Sequence, residues 1–219
     1  MPRPPYSEAQ REAMRTRIVD AAWALLQQQG PKGLSTRGIA GVVGMSPMAL
    51  YTYFPNRAAI LQALAERETA SFRDRQRALE AEVAQGADPA ATVRRSLQLF
   101  IELEHDQPDL FHLAVVMPEA AQAGAPGGRA RSRQQQHVAH LAMLIRVGMQ
   151  QGRFRVRDPI LAASAVLGMV TFPMLLFHNG RLTDPVLRDR LVVEMVGAAI
   201  GYLTFGGVEA GPGPEAAGP

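Results

Sequence analysis

The 219 residues, 47% hydrophobic and 20% charged, suffice for one large core or two modest ones and describe a soluble globular protein. The lack of cysteine excludes disulfides, thiolate zinc sites and a cysteine nucleophile, in keeping with a reducing cytoplasm, and residues 1–10 lack the apolar core of an export signal, so a cytoplasmic location is expected. The net charge of +3 is uneven: residues 1–57 hold seven basic groups (Arg3, Arg11, Arg15, Arg17, Lys32, Arg37, Arg57) against three acidic ones (Glu8, Glu12, Asp20), a bias that suits phosphate contact, and the remainder is slightly acidic.

Along the chain, Ser7 followed by Gln10 forms a capping box, Glu8 suits the positive end of the helix it opens, and Met14, Ile18, Ala22, Leu25 and Leu26 make an apolar stripe up to a stop at Gly30-Pro31. Trp23 on this helix suits packing better than ligand stacking. A second helix is predicted where Ser35 or Thr36 caps Ile39, Ala40 and Val43, and Gly44 ends it in a left-handed turn. Ser46 caps a third helix with Pro47 at its first position, where a missing N–H costs nothing. Leu50 and Phe54 point inward, which leaves Met48, Ala49, Tyr51 and Thr52 on the outer face, with Tyr53 and Arg57 at the end. Spacing alone allows an ordinary helix hairpin, but a short helix with small and aromatic outer residues also suits the major groove of DNA.

Residues 35–61 resemble the DNA-binding domain of TetR-family transcriptional regulators, through Thr36, Ile39, Ala40, Gly44, Ser46, Leu50, Tyr51, Tyr53, Phe54 and Leu61. Three positions depart from the usual pattern: Val43 replaces alanine, Met45 valine and Arg57 lysine. The resemblance covers about the first quarter of the chain. It implies an all-α fold, with a three-helix helix-turn-helix DNA-binding domain at 1–56 and a helical effector-binding and dimerisation domain at 57–205. The tail from 206 is too poor in apolar residues to fold. Expected DNA contacts are Thr36, Arg37, Ser46, Pro47, Met48, Ala49, Tyr51, Thr52, Tyr53 and Arg57. The outer face lacks Arg, Asn and Gln, so thymine methyls and DNA shape should carry much of the readout, with Arg37 as the best charged contact. Thr36, Tyr51, Tyr53 and Arg57 are expected to hold phosphates.

Residues 57–84 read as one charged helix with Ile60, Leu61, Leu64 and Phe72 on its apolar side. A break at 86–89 precedes a helix carrying Val93, Leu97, Phe100, Ile101 and Leu103, and Pro108-Asp109 opens another. Residues 119–133, with Arg129, Arg131 and Arg133, lose periodicity and read as a mobile loop before helix resumes at 134–151. The uncharged run 160–177 reaches the length of a membrane span, but Ser164, Thr171 and Pro173 favour a doubly buried helix, and no membrane partner is expected. Ala162, Ala163, Ala165 and Gly168, with Gly197, Ala198, Ala199 and Gly201, permit close helix approach, and the resemblance implies that the last two long helices form a twofold homodimer. Such a dimer would read an inverted repeat on double-stranded DNA, and an effector acting on the helix from Arg57 onward would change the spacing of its reading helices.

Phe100, Leu103, His112, Met117, Met143, Val147, Met169, Phe172 and Phe177 supply an apolar, methionine-rich set suited to a small hydrophobic effector, or simply to a core. His137 and His140, and His105 and His112, lack a carboxylate at ligand spacing and read as surface or packing residues, not as a metal site. No nucleophile elbow, phosphate loop or dinucleotide fingerprint is present, so neither catalysis nor a cofactor is expected. The resemblance implies a sequence-specific DNA-binding regulator, by family default a repressor released from an inverted-repeat operator by a small hydrophobic ligand. The alternatives are an effector-independent DNA-binding dimer and a small-molecule-binding protein without DNA function.

Overall fold

Helices α1 (Glu8–Gln29), α2 (Thr36–Val43) and α3 (Pro47–Leu50) form where the capping residues predict them. The computed structural model describes residues 7–116, 133–156 and 158–205, and every regular element among these is helical. In the capping box of α1 the Gln10 N–H donates to Ser7 Oγ (3.2 Å) and the Ser7 N–H to Gln10 Oε1 (2.9 Å). A 3-10 turn at Pro31–Gly33 follows α1. The chain continues through α4 (Arg57–Glu68), α5 (Ala70–Ala84), α6 (Pro89–Asp106) and α7 (Pro108–Phe111), which runs into a π-helical turn at His112–Val116. Helices α8 (Arg133–Gln150), α9 (Pro159–His178) and α10 (Pro185–Phe205) complete it. Met117, most of the loop expected at 119–133 with its Arg129 and Arg131, and the tail from 206 lie outside the described residues.

The chain folds as two compact units, Met1–Asp74 with Ile101–Gln135, and Arg75–Phe100 with Gln136–Pro219. The core of the first unit gathers Ile18, Ala22 and Leu26 of α1, Ile39 of α2, Leu50, Phe54, and Ile60, Leu61 and Leu64 of α4, joined by Leu110 and Leu113. Each leucine, isoleucine or phenylalanine among them contributes about 1.5–3 kcal/mol when fully withdrawn from water. Trp23 packs partly buried against this core, as expected of a packing residue. Helix α4 thus shares the core of α1 to α3, although a division by motif places residue 57 at the start of the second domain.

The single helix expected over 57–84 is two helices. Thr69 is buried and donates its hydroxyl to the Ala65 carbonyl at 2.6 Å, four residues back, a bond that bends helices, and the chain departs from helical geometry at Thr69 itself.

In the second unit α9 packs along α10. Gly148 on α8 leaves room for the Phe154 ring, since a Cβ there would meet it at 2.2 Å. The small residues of α9 and α10 divide by face. Ala162, Ala163 and Ala199 are buried within the chain, whereas Gly168, Gly197 and Gly201 have open space where a Cβ would stand. Helix α9 is the one helix among the described residues long and apolar enough to cross a membrane, with 39% of that stretch buried.

Candidate nucleic-acid interface

The turn between α2 and α3 is built by three local devices. Ser35, not Thr36, caps α2 by accepting from the Gly38 N–H at 3.0 Å. Gly44 adopts φ 80°, ψ 36° and donates to the Ala40 carbonyl at 3.0 Å. A side chain in this left-handed conformation costs roughly 1–2 kcal/mol, which glycine avoids. Ser46 Oγ then accepts from the Ala49 N–H at 3.2 Å, with Pro47 at the first helical position.

Regular helix in α3 lasts only four residues, shorter than its apolar pattern predicts, and continues as single turns in which the Thr52 and Tyr53 N–H groups reach back to Ala49 and Leu50. Leu50 and Phe54 anchor this segment in the core. Its other face carries Met48, 77% exposed, Tyr51, 46% exposed, and Thr52, with Ser46 and Pro47 exposed ahead of them and Ala49 partly covered. The Thr52 hydroxyl donates to the Ala49 carbonyl at 2.5 Å, so its methyl and remaining lone pair are what it offers outward.

The charged and phenolic residues separate into two groups. Arg37 is exposed on the first turn of α2, and Thr36 beside it is partly buried. Arg57 is drawn into the fold, where its Nε–H donates to the Leu34 carbonyl at 2.5 Å, and Tyr53 packs partly buried against the core. Arg11 and Arg15, counted by sequence only as part of a basic bias, also bond main-chain carbonyls: Arg11, itself exposed, donates to the Thr52 carbonyl (2.8 Å) and the partly buried Arg15 to the Tyr53 carbonyl (2.5 Å). Their partners lie 41 and 38 residues away, and their four-residue spacing along α1 is the one sequence signal that they act together.

The described residues expected to line an effector site are drawn from both units. Leu103 packs against the core of the first unit, to which His112 also belongs, while Phe100, Met143, Val147, Met169, Phe172 and Phe177 belong to the second. Phe172 is 61% exposed on α9. Phe177 is covered by the Arg188 guanidinium, 4.5 Å above its ring.

Sequence reasoning passed over a polar network inside the second unit. His140 stands between Ser96 Oγ, 2.9 Å from its Nε2, and Glu80 Oε1, 2.6 Å from its Nδ1. Gln76 Nε2 lies 3.0 Å from His137 Nδ1, and the Phe100 ring meets that imidazole edge-on at 4.8 Å. A carboxylate only accepts and an amide nitrogen only donates, so His140 carries its proton on Nδ1 and His137 accepts on Nδ1. Burial pushes His137 down to about 3, with the charge of His140 adding to the effect. Burial also lowers His140, against the raising effect of Glu80. Both imidazoles are thus held neutral at pH 7. No group of three or more metal-ligating side chains occurs among the described residues.

Residues 18–64 match the family described as bacterial regulatory proteins, tetR family. Over 99 residues the chain is 32% identical to uncharacterised HTH-type transcriptional regulators from two strains of Mycobacterium tuberculosis, covering 45% of this chain. The chain spans about half the length (48%) of these curated relatives. Among solved structures it is similar to SmeT, the repressor of the Stenotrophomonas maltophilia multidrug efflux pump SmeDEF, at 22% identity, 93% of this chain, 96% of that one and a TM-score of 0.65. It is also similar to Thermus thermophilus FadR, a transcriptional repressor in complex with lauroyl-CoA, at 20% identity, 91% of this chain, 98% of that one and a TM-score of 0.63. A third likeness is to AibR in complex with isovaleryl coenzyme A and operator DNA, at 23% identity, 84% of this chain, 96% of that one and a TM-score of 0.57. At such identities the structural likeness is one of fold, all-α with an amino-terminal helix-turn-helix. Residues 18–64 thus carry the helix-turn-helix domain described for the tetR family of bacterial regulatory proteins, at the head of an all-α chain.

Proposed function

We propose that this protein is a cytoplasmic, sequence-specific DNA-binding transcriptional regulator without catalytic activity. It acts as a homodimer on an inverted-repeat operator and represses until a small hydrophobic ligand releases it. The observation that carries the reading is the exposed face of α3, on which Met48, Tyr51 and Thr52 stand clear of the protein while Leu50 and Phe54 lock the opposite side into the core. Such a helix presents side chains to base edges from a rigid support.

Within this reading Met48, Ala49, Tyr51 and Thr52 meet the major groove, and Thr36, Arg37, Ser46 and Pro47 meet the flanking backbone. The functional division follows the motif, with DNA reading in residues 1–56 and effector binding and self-association in 57–205. FadR with lauroyl-CoA and AibR with isovaleryl coenzyme A and operator DNA support a regulator whose DNA binding answers to a small molecule. A coupling of roughly 1–3 kcal/mol suffices to change operator affinity about 5- to 150-fold.

Selection of duplexes from a random pool at moderate salt, followed by sequencing, tests the proposal. The expected product is an inverted repeat with half-sites about 10 base pairs apart, centre to centre, or a multiple of that. Unpatterned sequence would sink it. On the selected operator, Tyr51→Phe should weaken binding by roughly 3- to 10-fold through loss of one phenolic hydrogen bond, with an unchanged melting temperature. Equal affinity of the two proteins in a fluorescence titration would remove Tyr51 from the contact set.

A further inference from the structure

We propose that Arg11 and Arg15 are positioning residues that hold the DNA-reading segment by its backbone, and are not phosphate ligands as their place in the basic amino-terminal region suggests. The inference rests on the DNA-reading assignment above and deepens it.

The physical need is plain in the geometry of α3. Four residues of helix cannot hold themselves in place, because nucleation fixes several torsions for each hydrogen bond gained. Each of the turns that follow is closed by an N–H reaching back: Tyr51 to Met48, Thr52 to Ala49, Tyr53 and Phe54 to Leu50. Pro55 comes next and has no N–H to continue the series. The carbonyls of Thr52 and Tyr53 would therefore stand at the end of a helical segment without a main-chain donor.

Arg11 and Arg15 supply those donors from α1, one to each carbonyl, at 2.8 and 2.5 Å. The Arg15 guanidinium also lies 4.2 Å over the Phe54 ring, the side chain that buries the end of the same segment. Glu12, 3.5 Å from Arg15 Nε, flanks it on α1. A planar guanidinium can donate in its plane and stack through its face at once, which a lysine ammonium cannot do. Its positive charge also lies at the negative end of a helical segment. The outcome is that the exposed side of Met48, Tyr51 and Thr52 is tied to a 22-residue helix from outside, at the end where the segment's own bonds run out. Reading side chains need support of this kind, since a displacement of about 0.5 Å degrades recognition.

The test compares full-length Arg15→Met, Arg11→Met and Arg15→Lys with Arg37→Ala, a variant of the exposed arginine. Two readouts are taken: affinity for the selected operator across a salt series, and hydrogen exchange of amides 51–54 in the protein without DNA. A phosphate ligand contributes about 0.9 to the slope of log affinity against log salt, whereas a positioning residue contributes to affinity without contributing to slope. The expected result for Arg15→Met is a loss of on the order of 10-fold at every salt concentration with the slope retained, and faster exchange at 51–54. Arg11→Met follows it in the same direction, and Arg15→Lys behaves as Arg15→Met. Arg37→Ala lowers the slope and leaves exchange alone. A slope reduced by about 0.9 with exchange unchanged would make these arginines phosphate ligands and overturn the proposal, as would full recovery by Arg15→Lys or no change in either readout. If the wild-type protein selects no operator, the DNA-reading assignment fails on its own account. The exchange experiment then still decides whether the two arginines hold the segment.

Discussion

Aspartate at both Phe172 and Val193 should turn the protein into a monomer that no longer holds its operator. Phe172 on α9 and Val193 on α10 are 61% and 70% exposed, in company with Leu161 at 66% and Phe205 at 84%. On α9, positions 161, 168 and 172 fall on one face, and on α10 so do 186, 193 and 197. Gly168 and Gly197 sit on these faces with open space where a Cβ would be. An apolar surface of this extent, lined with residues too small to hold another helix away, is how a protein prepares to pack against a copy of itself. In a twofold interface the two substitutions appear twice, so four carboxylates enter the contact, and a buried unpaired charge is among the most destabilising changes known. Sedimentation should show a dimer for the wild type and a monomer for the double variant at micromolar concentration, with the melting of a single protomer little changed because neither side chain is in its core. Operator affinity should fall about 100-fold or more, since a monomer engages one half-site and loses the avidity of two. A double variant that sediments as the wild type does would remove this face from the assembly.

How much of this was legible in the sequence depends on the range over which each feature is determined. Ser7 with Gln10, Gly44, and Ser46 with Pro47 act on hydrogen bonds three or four residues away, so their spacing specified α1, the turn and the start of α3. The inward Leu50 and Phe54 and the outward Met48 and Tyr51 follow from helical periodicity alone. The break at Thr69 was not legible, because threonine is tolerated within helices and only its buried hydroxyl bond to Ala65 reveals the bend. The uncharged run in α9 was read as a doubly buried helix that also pairs with a second copy, and in the single chain Ile160, Leu161 and Phe172 are exposed. Periodicity cannot tell a face covered by the chain's own helices from one left for a partner. The bonding of Arg11, Arg15 and Arg57 to main-chain carbonyls was likewise hidden, since a basic residue counts equally toward net charge whether it meets a phosphate or a carbonyl of its own chain.

The same limit applied to His137 and His140, whose spacing of three suits a surface, a core or a metal, and the network they form leads to the second large expected effect. Stability should be level from pH 8 to about 7 and then decline as the solution is acidified. In the folded protein burial holds His137 at about 3, and His140 is lowered as well, with Glu80 opposing. In the unfolded chain both return to the ordinary value near 6.5. Above that value neither state binds a proton at these groups, so they contribute no pH dependence. Below it the unfolded state takes up protons that the folded state refuses, and stability falls by up to about 1.4 kcal/mol per pH unit for each histidine. The decline for His137 continues until the pH nears 3, its folded value, but carboxylates join in below about 5, so the window from 6.5 to 5 is the informative one. Urea midpoints measured across that window should fall in the wild type and stay nearly level in His137→Gln/His140→Gln, which keeps a hydrogen-bonding side chain at each place. The single variants divide the effect, and His137→Gln should remove the larger part, because His140 has the Glu80 carboxylate 2.6 Å away to offset the cost of taking up a proton. A wild-type midpoint that stays level to pH 5 would show that the buried pair is already protonated or open to water. A slope that survives in the double variant would place the proton uptake at other groups.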